Sequence, residues 1–176
     1  MILSSGKNKI YCPLLDFDAI DMCLDFLEPK KYFGKNNKNY IQRLDPNGQQ
    51  YLNSCIWDKS KGKWEFKFCH SEYPDSYHNN NGNLGFILPL AWQNHAPATI
   101  MYKWYSDRKV IYKERGKIYY TDNDELALTI TKNSPKIDIV FEWKKDRALI
   151  FDCNQLQSTT RNWESGWKEY IIGFVI

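Results

Sequence analysis

At 176 residues, with 43% hydrophobic and 26% charged side chains, the chain has the apolar mass for one folded domain and too much for wholesale disorder. A net charge of +3 is too weak for a dedicated nucleic-acid domain, which carries a dense basic stripe. No apolar run approaches the ~20 residues that cross a bilayer. Five cysteines without a Cys-x-x-Cys pair, and a start over residues 1–9 unlike a signal peptide, lead us to expect free, buried thiols in the cytoplasm.

Residues 9–15 read as a short strand. Pro13 cannot donate to a ladder, so an edge strand or an extended lead-in is expected. Residues 16–28 form the clearest amphipathic helix, with Asp16 as N-cap and Pro29 as stop. Phe17, Ile20, Cys23, Leu24 and Leu27 share its broad apolar side, and Asp18, Asp21, Asp25 and Glu28 line the narrow remainder. Residues 29–40 hold four lysines, no acid and three aromatics, the composition of a polar loop. Leu44-Asp45-Pro46-Asn47-Gly48 signals a turn, after which residues 51–57 and 63–70 read as a hairpin. Residues 71–83 lack core-forming side chains and read as a long surface loop. Residues 84–92 are strand-like until Pro89.

From 99 to 152 the chain reads as six short strands separated by tight polar turns, the pattern of an antiparallel meander. Ile137, Ile139, Phe141 and Trp143 fall on one face, a period of two with a buried side. Residues 154–167 are polar. Residues 169–176 (Glu-Tyr-Ile-Ile-Gly-Phe-Val-Ile) are apolar almost throughout, so this strand must lie inside a sheet. The expected fold is a single domain over 1–176, α+β and mainly antiparallel β: a meander sheet or partly closed barrel with one amphipathic N-terminal helix.

Catalytic groupings are scarce. There is no Gly-x-Ser-x-Gly and no Gly-rich phosphate loop. His70, His78 and His95, with Cys69, lack metal-ligand spacing. No cofactor and no metal are therefore expected, and no membrane or nucleic-acid partner. Aromatics reach 16%; most should build the core, and some suit interfaces.

The leading expectation is a protein-binding module, an intracellular inhibitor or immunity-type partner of a toxin or defence enzyme. It would occlude its partner's active or binding site with aromatic anchors and matching acids. The contact residues would be Asp122, Asp124 and Glu125, with the helix edge Asp18, Asp21 and Asp25. Two resemblances offer alternatives. Gly62-Lys63-Trp64 and Thr121-Asp122 resemble the Gly-x-Trp and Thr-Asp motifs of lipocalins, which implies a small-ligand-binding β-barrel. Leu14-Leu15-Asp16-Phe17-Asp18 resembles the paired-carboxylate motif of archaeo-eukaryotic primases, and Ser76-Tyr77-His78 resembles their Ser-x-His. That resemblance implies a divalent-metal-dependent nucleotidyl transferase with a third acid at Asp138 or Asp152.

Overall fold

The computed structural model describes residues 3–12, 40–56, 62–72, 78–80, 82–131, 135–160 and 166–176. The helix expected over 16–28, with Asp18, Asp21 and Asp25, lies outside the described residues, as do the lysine-rich stretch up to residue 39 and Asp16, Ser76 and Tyr77 of the primase-like motifs.

The described chain is α+β and mainly antiparallel. Seven strands form one sheet in the order β1 (Leu3–Ser5), β2 (Asn8–Tyr11), β11 (Ala148–Asp152), β5 (Leu84–Trp92), β13 (Lys168–Val175), β4 (Trp64–Ser71) and β3 (Tyr40–Arg43). A second group runs β10 (Ile137–Glu142), β6 (Ala98–Tyr105), β12 (Gln155–Thr159), and a third β7 (Val110–Glu114), β8 (Lys117–Tyr120), β9 (Leu126–Thr129). His78 joins these two groups edge to edge, since it bridges Gln157 of β12 and Ile111 of β7. The sheets stay open.

Within residues 99–152, consecutive zig-zag pairing holds for β7, β8 and β9 only. β6 pairs with β10 and β12, and β11 crosses to the large sheet between β2 and β5. The reason lies in burial. All five residues of β11 are buried, so it needs cover on both faces, which a central strand has and the rim of a one-sided meander lacks. β13 also takes a central place, between β5 and β4, as its apolar run requires. β2 is not an edge strand, because β1 lies outside it.

The large sheet is covered on both faces. One face packs Ile87, Leu149 and Phe151 against Met101, Phe141 and Trp143 of the facing layer. The other face buries Trp64, Phe66, Phe86 and Leu88 with Leu44, Leu52 and Ile56. Full burial of one such side chain is worth ~1.5–3 kcal/mol. Pro89 is tolerated in β5 because the pairing of β5 with β11 ends at Ile87, and the pairing with β13 shifts register beside it.

The hairpin expected over 51–70 does not form. Residues 46–55 instead make α1 (Pro46–Cys55), the one helix among the described residues. Asp45 caps it by accepting from Gly48 N at 2.8 Å, and Pro46 occupies its first turn. Asp-Pro serves a turn and a helix start equally well, and here burial of Leu52 decides for the helix. α1 also closes the sheet edge. β3 pairs with β4 only as far as Lys67, which leaves the start of β4 open. There Gln49 donates to Phe66 O at 2.7 Å and accepts from Phe66 N at 2.8 Å. One turn later Asn53 donates to Trp64 O at 2.9 Å and accepts from Trp64 N at 3.0 Å. Two side-chain amides, four residues apart on one helix face, thus replace a missing strand and block edge-to-edge association.

Candidate functional site

Residues 78–80 sit within the region expected to be a loop, yet they behave as a short strand. His78 N donates to Gln157 O at 3.0 Å, and Gln157 N returns a bond to His78 O at 2.8 Å. Side chains alternate across a strand. Asn79 points one way and is buried. Its Nδ2 donates to Ser106 O and Arg108 O at 3.1 and 2.9 Å, and its Oδ1 accepts from Val110 N at 2.8 Å. It thereby pins the β6–β7 connection. His78 and Asn80 point the other way, into the space between the two layers.

That space holds a cavity of about 300 Å³. Its walls combine apolar groups (Ile87, Trp143, Ile172, Phe174) with His78, Asn80, Thr99 and Gln157. Ile41, 66% exposed, and Lys67 mark its rim toward the β3 edge. The Trp143 indole is satisfied by Thr99 Oγ1 at 2.9 Å, and Tyr170 packs edge-on at 5.2 Å between ring centroids. Gln157 Nε2 lies 3.3 Å from His78 Nε2. Two polar atoms of these residues are sealed from solvent and without a hydrogen-bond partner: Gln157 Oε1 and Asn80 Nδ2. Gln157 as a whole is only 3% exposed. Position 157 carried no recognisable signal in the sequence, because Gln-Leu-Gln-Ser-Thr lacks a strand's apolar alternation, although all five residues of β12 are buried.

A larger cleft of about 880 Å³ lies beside α1, lined by Arg43, Gln49, Asn53, Trp64 and Ile176 among others. The Gln49 and Asn53 amides there are already occupied by the β4 backbone. Residues 57–61, which follow its Ile56 wall, lie outside the described residues.

The residues singled out from sequence are dispersed. Asp122, Asp124 and Glu125 share the exposed β8–β9 turn and are engaged with cations. Arg108 donates to Asp122 at 2.8 Å and to Glu125 at 3.2 Å, its guanidinium 3.6 Å from the centroid of the Tyr120 ring. Lys113 pairs with Asp124. The Arg108 hydrogen bond holds the Asp122 carboxyl below its usual range; for Glu125, Asn123 contributes first and Arg108 second. Asp138 accepts from Gln155 Nε2 at 2.9 Å and from Asn8 Nδ2 at 3.3 Å. Asp152 pairs with Lys7 at 3.3 Å and accepts from Asn154 N. His70 stacks between Tyr40 and Trp167 and meets Glu169 at 3.0 Å, and His95 is exposed. Among the described residues, no group of three or more His, Cys, Asp or Glu side chains is placed to hold a metal ion, and no helix is long and apolar enough to cross a membrane.

No known family and no curated protein matches the chain. Among solved structures, E. coli ycfD is similar at a TM-score of 0.44 and 11% identity, over 85% of this chain and 37% of that one. The chain thus spans little more than a third of that protein's length. A Pseudomonas putida prolyl-4-hydroxylase is similar at a TM-score of 0.45 and 11% identity, over 96% of this chain and 91% of that one. No activity follows from likeness at this level.

Proposed function

We propose that the protein binds a small organic molecule between its two sheets. The supporting observation is the cavity itself, about 300 Å³ between the sheets, whose apolar lining carries His78, Asn80, Thr99 and Gln157. A sandwich selected for stability alone would carry apolar residues there, as it does at Met101 and Phe141 nearby. The cavity volume falls at the lower end of the range that ligand sites occupy. This agrees with the small-ligand expectation, on an open two-layer sandwich in place of a lipocalin barrel. The inhibitor reading draws less support. It needs free acids at 122–125, where two cations already face three carboxylates.

Ligand-observed NMR with a fragment library tests the proposal, with Ile172→Trp as the filled-cavity control. Fragments should bind the wild type, shift the amides of His78, Asn80 and Gln157, and lose contact in the control. A folded wild-type protein that binds nothing the control excludes refutes it.

A further inference from the structure

We infer that the ligand of the inter-sheet cavity is a small apolar acid, its anionic head at Lys67 and its body among Ile87, Trp143 and Ile172. This rests on the ligand-binding reading above. Arg43, Lys67 and Ile172 stand opposite one another across β3, β4 and β13, and cross-strand neighbours project to the same face. Lys67 thus stands beside the Ile172 wall at the cavity rim. Its side chain is 39% exposed, enough to keep the ammonium hydrated. Glu65 meets Lys67 at 3.9 Å, and Arg43 holds the same Glu65 oxygen more closely, at 3.5 Å. Two cations therefore share one carboxylate, and the rim keeps a net positive charge. Lys168 adds to it, with its Nζ 5.6 Å from the ring centroids of both Trp143 and Tyr170, two side chains of the lining. Among the described residues, no Asp or Glu lines the cavity. Charge of one sign over low-dielectric walls attracts the opposite sign. A cationic ligand would meet like charge at the rim. An acid gains a charge-assisted hydrogen bond from Lys67 and keeps its apolar part on the lining.

The test uses three probes of similar shape on the whole chain: phenylacetate, phenylacetamide and phenethylammonium. Calorimetry should show phenylacetate binding about fivefold or more tightly than the amide, the margin of a charged hydrogen bond at a partly hydrated site, with phenethylammonium weakest. Added salt should narrow the margin. Lys67→Met, which keeps the length and removes the charge, should bring phenylacetate down to the affinity of the amide, while thermal melting confirms a folded protein. Ile172→Trp, the filled-cavity variant, should lose phenylacetate. An acid that still binds that variant sits on the surface and overturns the inference. So does an acid preference that survives Lys67→Met. If the amide or the amine binds as tightly as the acid, or if neutral fragments enter the cavity while phenylacetate fails, the charge assignment falls and the cavity reading stands. Failure of every fragment and probe removes both.

Discussion

Gly173 lies in mid-β13, paired with Phe66 of β4 on one side and Phe86 of β5 on the other. An added Cβ would stand 2.6 Å from Phe66 Cδ1 and 2.7 Å from its Cε1, where carbon atoms ordinarily keep about 3.5–4 Å. Phe66 is fully buried among Trp64 and Phe86, its ring centroid 6.3 and 5.6 Å from theirs. The ring cannot swing aside without displacing both. Overpacking of this kind costs ~1–3 kcal/mol. The alanine recovers about 0.4–1 kcal/mol by restricting the unfolded chain. The net loss for Gly173→Ala should thus be about 0–2.6 kcal/mol, or up to roughly 10 °C in melting temperature at this chain length. Calorimetric melting measures the shift. A double-mutant cycle isolates its cause, because Phe66→Leu should cost less in the Gly173→Ala background than in wild type. Strict additivity would refute the steric account.

Gln49→Leu should lower stability by about 1–3 kcal/mol, since it leaves Phe66 N without an acceptor while Phe66 O keeps Leu44 N at 3.5 Å; urea melts read this, and faster amide exchange at Phe66 locates it. Asn79→Ala leaves Val110 N and the Ser106 carbonyl without their side-chain partner, while Arg108 O keeps Ser106 Oγ at 2.9 Å. A loss of ~2–4 kcal/mol is expected by denaturant titration, and a loss under ~0.5 kcal/mol would show that water replaces the amide. Burial, with Asp152 adding to it, pushes the Cys153 thiol up to about 12 from 9.0. Folded and unfolded chains both keep that proton below pH 9, and above it the unfolded chain releases first. The contribution is therefore full below pH 9 and lost between pH 9 and about 12. Cys153→Ala should flatten the alkaline fall in melting temperature, and a fall as steep as wild type's would contradict the assignment. Deleting the last six residues, 171–176, removes most of a strand between two others, so soluble expression should be abolished; a cooperatively folding truncation would show otherwise.

Local pattern was enough to read many of the strands, though not β3 or β12. Residues 148–152, 137–142 and 168–175 stand out because alternation or continuous apolarity reports how many faces of a strand are covered. It was also enough for the antiparallel class, since the links are too short for crossover helices. Which strand neighbours which was not legible, because pairing is chosen by faces that meet far apart in the chain: β11 seeks the middle of the large sheet, and β6 meets β10 and β12. Asp45-Pro46 fits a turn and a helix cap alike, and only Leu52 burial and the Gln49 and Asn53 amides against β4 settle it. The cavity wall was hidden for a related reason. The glutamine at position 157 looks like any polar residue until His78, 79 positions away, is folded against it. Whether its second polar atom finds a partner is a property of the assembled interior, where water is excluded and an empty hydrogen-bond site is expensive.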